Sequence, residues 1–127
     1  MANPICDRRI TIMRLVTDLL HHAHRWWFPE LKFSKAVAMT VIVNEIVIAE
    51  VEGKPYTVAR LARRFQVTRP NMTTRIRYLV RKGLLTRDGQ RIEFNHAAVQ
   101  TAQAEESLKL AMQIVMLAND TITKKID

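Results

Sequence analysis

Asn71, Thr74, Arg77 and Arg81 recur at steps of three and four between Thr68 and Gly83, with Thr73 and Tyr78 beside them. Amides, small hydroxyls and guanidinium forks on one helical line are the groups that hydrogen-bond to base edges and grip phosphate oxygens. Residues 66–83 carry four arginines and one lysine and no acid. A helix that only has to fold usually pairs its charges four apart, because repeated like charges work against it. At about 100° per residue, Met72, Ile76, Leu79 and Val80 centre an apolar stripe. Pro70, Asn71, Thr74, Arg77, Tyr78 and Arg81 fall opposite it, with Thr73 at the border.

Basic helix faces are often merely solvated, so the placement of the remaining charge decides. The chain has 127 residues, 20 of them Lys or Arg and 12 Asp or Glu, for a formal charge of +8. Between Lys54 and Arg91 eleven basic residues face a single acid, Asp88, a block of +10, which leaves −2 for the rest. Charge kept for solubility is dispersed; a block this concentrated implies a polyanionic partner, and with the polar face above it implies double-stranded DNA. Arg69, Arg81, Arg87 and Arg91 are then the phosphate contacts, and Thr68 caps the helix that presents them.

The elements that position these residues are legible from period and punctuation. Ile12, Leu15, Val16, Leu19, Leu20 and Ala23 predict a first helix over about 5–25, ended by Trp26-Trp27-Phe28-Pro29. Ser34 is the expected cap of a second, largely apolar helix over 35–51, broken by Gly53-Lys54-Pro55. Thr57 caps a short helix bearing Val58, Leu61, Ala62 and Phe65, and Gln66-Val67 makes a turn. Thr68 opens the basic helix, Pro70 sits in its first turn and Gly83 just past its end. Asp88-Gly89 reads as the tip of a hairpin between 84–87 and 90–94. Asn95 caps a last helix over 96–126, with apolar stripes at Leu108, Ala111, Val115, Ala118, Ile122 and Ile126 and at Leu110, Ile114, Leu117 and Thr121. The expected fold is mainly α: a winged helix-turn-helix with long N- and C-terminal helices and one short β-hairpin. One domain is expected over 1–127, made of N-terminal helices over 1–52, a lobe over 54–94 and the last helix over 96–127.

At the stretch TVARLARRFQVTRPNMTTRIRYLVRKGLLTRDGQRIEF, Thr57 to Phe94, the sequence resembles the DNA-binding lobe of the MarR-type winged-helix regulators. Leu61-Ala62, Val67-Thr68-Arg69 and the ending Leu79 to Lys82-Gly83-Leu84 carry the resemblance. Gln66 stands where the family usually has glycine, Arg75 where an apolar residue is common, and the wing is short, its Asp88 and Arg91 only loosely echoing the family's acid-then-arginine pattern. The resemblance implies a homodimeric, cytoplasmic regulator of transcription on the nucleoid, often a repressor released by a small ligand. Its outer helices would be the dimerisation elements, which places Ile12, Leu19, Leu108, Val115 and Ile122 at the interface and an inverted repeat in the operator. A small apolar or aromatic effector would lie near Trp26, Trp27 and Met39, although aromatic residues between helices are more often plain core.

Other readings stand beside this one. His21, His22 and His24 in HHAH have the density of a metal site, but only the outer two share a face, and histidine near a helix C-terminus is favourable in itself. Cys6, with Arg8 and Arg9 to lower its pKa, lies where peroxide-sensing relatives keep a reactive thiol, but those sensors also use tyrosines from the second helix, which has none here. A winged helix used for protein assembly is the rival from another class, and such modules usually lack an acid-free recognition helix. No phosphate loop, nucleophile motif or metal-protease pattern is present, so neither catalysis nor a cofactor is expected. The lone cysteine allows no intrachain disulfide, and no run is apolar and long enough to span a bilayer.

Overall fold

The computed structural model describes residues 4–126, with side chains from 8 to 123. The elements in chain order are α1 (Pro4–Trp27), α2 (Phe33–Val51), α3 (Val58–Arg64), α4 (Arg69–Arg81), β1 (Leu85–Asp88), β2 (Arg91–Phe94), a 3-10 turn (His96–Val99) and α5 (Ala102–Ile126). They form two compact units. Among the described residues, one comprises 4–37 and 102–126, the other 38–101.

The second unit is the winged helix-turn-helix. Its core draws Ile42, Ile46 and Ala49 from α2, Val58, Leu61 and Ala62 from α3, and Met72, Ile76 and Leu79 from α4. Leu84, Leu85 and Ile92 close it from the hairpin. Val80, expected in the α4 stripe, is instead 36% exposed: Met72, Ile76 and Leu79 already fill the buried arc, and Val80 lies roughly 40° past its edge.

The hairpin pairs Leu85 with Phe94 through to Asp88 with Arg91, so its two-residue tip is Gly89-Gln90 rather than Asp88-Gly89. Gly89 has φ +61 while Gln90 stays at negative φ, the pattern of a turn with glycine at its first central position. Thr57 forms a further antiparallel bridge with Arg91, and Ile92 N–H donates to the Tyr56 carbonyl at 3.3 Å. The wing thus begins on the residues that open α3.

The last helix is interrupted, against the expectation of a continuous run from 96. Asn95 is pinned by its N–H to the Leu84 carbonyl (2.8 Å) and by its side-chain amide to the Gly83 carbonyl (2.8 Å), and its Oδ1 accepts from Ala97 N–H (3.3 Å). That geometry favours tighter i→i+3 bonds, such as Ala98 to Asn95, and a 3-10 turn results. The α-helix restarts at Ala102 and runs 25 residues, about 37 Å at 1.5 Å each. Ser34 is likewise not a cap: α2 already starts at Phe33, and Ala36 N–H bonds the Lys32 carbonyl at 2.9 Å.

In the first unit α1 and α5 run antiparallel. His22 meets Ser107 near one end of the pair, while Ile10, Arg14 and Asp18 face Ile114, Ala118 and Thr121 across a cleft of about 200 Å³ near the other. The inward residues of α5 are Ala104 and Ser107, fully buried, and Ala111, Ile114, Ala118 and Ile122, half-buried. Leu108, Met112, Val115 and Met116 face outward, as do Ile12, Met13 and Val16 of α1. The single stripe expected through 108, 111, 115, 118 and 122 is therefore divided: Ala111, Ala118 and Ile122 turn inward, Leu108 and Val115 out.

Candidate nucleic-acid interface

The turn between α3 and α4 is set by one unusual residue. Gln66 has φ +56, the only non-glycine at positive φ among the described residues, and it lets Val67 N–H reach back to the Ala62 carbonyl at 3.0 Å. Thr68 follows in extended conformation and its Oγ1 accepts from Asn71 N–H at 3.2 Å, capping α4. Pro70 occupies the first turn, where its missing N–H costs nothing. At the far end Gly83, φ +89, closes a two-bond glycine cap: Leu84 N–H to Leu79 carbonyl at 3.1 Å and Gly83 N–H to Val80 carbonyl at 3.0 Å. Both ends of α4 are thus fixed from within the lobe.

Between those ends the outward face is as polar as its sequence implies. Arg69, Asn71, Thr74, Arg77 and Arg81 are exposed, and Thr73, Arg75 and Tyr78 are half-buried. The side chains of Arg69, Asn71, Arg77 and Arg81 make no hydrogen bond or ion pair among the described residues, and no acid lies on α4. Four donor groups are left available on a rigid element, which is the condition for contacting base edges and phosphates without reorganisation.

The two wing arginines are engaged already. Arg87 Nε donates to the Gly89 carbonyl at 2.8 Å, and Arg91 Nε pairs with Glu93 Oε1 at 3.0 Å. Arg91 is 63% and Glu93 50% exposed, so water screens the pair and it holds Arg91 only weakly.

Behind the interface is a polar brace that the sequence reading missed. Glu45 on α2 accepts from the Tyr56 hydroxyl at 2.9 Å and from Arg64 Nε at 3.1 Å. Arg64, with Tyr56 assisting, holds the Glu45 carboxyl below its ordinary pKa, and burial followed by the Glu45 hydrogen bond pushes the Tyr56 phenol up. Arg60 lies over the Tyr56 ring at 5.1 Å and donates to the Pro55 carbonyl at 3.1 Å. Glu50, one turn further along α2, accepts the Phe94 N–H and lies 3.3 Å from His96 Nε2, fastening the end of the wing. The available signal was two acids, Glu45 and Glu50, in a largely apolar helix just before the basic block.

The remaining candidates are separated. His21 stacks on Phe33 at 4.5 Å, His22 Nε2 is 2.9 Å from Ser107 Oγ, and His24 Nε2 donates to the Leu31 carbonyl at 2.7 Å. His24 also meets the Phe33 ring edge-on at 5.7 Å, and no group of three metal-ligating side chains converges among the described residues. Trp26 and Trp27 are half-buried at the end of α1, while Met39 is closed in at 9% exposure. Of the residues expected at a subunit interface, Ile12, Leu108 and Val115 are exposed and Leu19 and Ile122 half-buried. Cys6 falls in the first turn of α1, and its side chain lies outside the described residues. No described helix is long and apolar enough to cross a membrane.

Residues 46–91 match the family model described as MarR family. No curated protein and no solved structure matches the chain. The matched span runs from the middle of α2 through α3 and α4 to the first residue of β2, and so contains the whole of the polar face described above.

Proposed function

We propose that this protein, whose residues 46–91 match the MarR family model, is a DNA-binding transcription regulator that acts as a homodimeric repressor. In this reading it lies in the cytoplasm and binds an inverted repeat in double-stranded DNA. The observation that carries the proposal is the face of α4: Asn71 and Arg77 with side chains unengaged, Arg69 and Arg81 flanking them, and no acid on the helix. Arg69, Arg81, Arg87 and Arg91 hold phosphates; Asn71, Thr74 and Arg77 address bases, with Thr68, Thr73 and Tyr78 lining the same contact. The test is selection from a random duplex pool by the intact chain, followed by binding at several salt concentrations. Enrichment of one inverted-repeat sequence, with affinity falling steeply as salt rises, is the expected result. Equal, weak retention of all duplexes would support the protein-assembly alternative instead.

Two-fold pairing rests on the outward apolar faces of the first unit. Leu108, Met112, Val115 and Met116 line one side of α5, and Ile12, Met13 and Val16 one side of α1. Contiguous exposed apolar surface on this scale normally marks an interface, and a second copy of the chain would set two α4 helices about one or two DNA turns apart. Ligand control is the further part of the proposal. Trp26 and Trp27, half-buried at the end of α1, are the groups to follow by fluorescence in a screen of apolar and aromatic compounds, with DNA release as the second readout.

A further inference from the structure

Three side chains project from one line of α4 at spacing of three: Asn71, Thr74 and Arg77. The outer two are unengaged, but the middle one is not. Thr74 Oγ1 donates to the Pro70 carbonyl at 3.0 Å, one turn back. That bond uses the only hydroxyl hydrogen and draws the oxygen against the backbone of the preceding turn, as serine and threonine often do inside helices. With its oxygen held to the backbone, the γ-methyl is the group of Thr74 left untied, on an exposed residue between an amide and a guanidinium.

The major groove offers one partner for a methyl group in that position. Each base edge presents donors, acceptors or both, and thymine alone adds a methyl, at C5. We infer that Thr74 reads the 5-methyl group of thymine by apolar contact rather than hydrogen-bonding a base edge. This inference rests on the duplex-DNA reading above and specifies one base within it. The cap and the buried stripe behind Thr74 make the contact selective: Thr68 fixes the start of α4, and Met72 and Ile76 fix its rotation, so the methyl has one direction to face.

The experiment uses the full chain and the duplex enriched from the random pool. Each thymine of a half-site is replaced in turn by deoxyuridine, which removes the 5-methyl and leaves pairing unchanged. One position should weaken wild-type binding about fourfold per half-site, the value of one buried methyl-sized group. Thr74→Ser, which keeps the hydroxyl and lacks the methyl, should bind the thymine and deoxyuridine duplexes alike. Thr74→Val, which lacks the hydroxyl and keeps a methyl, should discriminate as the wild type does. Both are substitutions at an exposed helical site, and equal melting temperatures confirm that the fold is kept. The inference is overturned if Thr74→Ser still discriminates, if Thr74→Val does not, or if no thymine matters while the duplex is still bound selectively. A pool that enriches no sequence would overturn the duplex reading itself, and the inference with it.

Discussion

The Glu45 carboxylate accepts a hydrogen bond from Arg64 Nε at 3.1 Å, tying α2 to α3. Arg64, then Tyr56, lowers the Glu45 pKa below its usual 4.5. A carboxyl depressed in the folded state adds stability that is present above the unfolded value and lost as pH falls through the folded one. Arg64 is 61% exposed, so water screens the ion pair and its contribution is small. Glu45→Gln should therefore be slightly less stable than wild type in urea at pH 7, with the gap closing below about pH 4. An equal gap at both pH values contradicts the ionic account.

His22 acts in the same direction over a higher pH window. Burial, assisted by the charge of Arg25 and opposed by the Ser107 contact, lowers its pKa below the usual 6.5. The unfolded chain then takes up a proton before the folded chain does, so stability falls as pH drops through 6.5 and levels off below the folded pKa. Replacement by glutamine should flatten the urea midpoint over that range relative to wild type. Parallel profiles for the two chains would show that His22 does not titrate differently on folding.

Gln66 holds the left-handed conformation at φ +56, which costs a residue with a Cβ about 1–2 kcal/mol. Glycine relieves that strain and gives back about 0.5–1 kcal/mol through its greater freedom in the unfolded chain. Gln66→Gly should raise stability by roughly 0.5–1 kcal/mol, seen as a higher melting temperature with DNA affinity unchanged. A lower melting temperature would show that the Gln66 side chain contributes more than its backbone costs.

Val115 faces outward at 45% exposure in the apolar stripe of α5. Ultracentrifugation at micromolar concentration should give a dimer for the native chain and a monomer for Val115→Glu, because a carboxylate buried without a partner opposes association. The variant should also lose DNA affinity, a single half-site being too small a contact. A native chain that sediments as a monomer would remove the two-fold argument.

The winged lobe was legible because each of its rules is local. Thr57 and Thr68 cap where their hydroxyls reach the third N–H, Gly83 takes the positive φ that ends α4, and the stripe Met72, Ile76 and Leu79 follows helical period. What the sequence did not disclose depends on contacts distant along the chain. Asn95 has the composition of a helix cap, but its bonds to Gly83 and Leu84 bend the next residues into a 3-10 turn. The partition of the α5 stripe, with Ala111 inward and Val115 outward, depends on how α5 meets α1, and the brace at Glu45 spans 19 residues to Arg64. Within the polar face, residue types marked Asn71, Thr74 and Arg77, whereas the back-bond from the Thr74 hydroxyl to the Pro70 carbonyl is visible only in three dimensions.

The central claim is that α4 reads base edges while the wing holds phosphate, and paired alanine variants test it most directly. Arg77→Ala should cost on the order of 1–3 kcal/mol at the selected duplex and little on random DNA, relaxing base preference at one position. Arg91→Ala should weaken selected and random duplexes alike and reduce the slope of log affinity against log salt by about one. The measurement is the affinity of both variants on both duplexes across a salt series. That division of effects is the predicted result; unchanged binding of the selected duplex by the double variant would contradict the account.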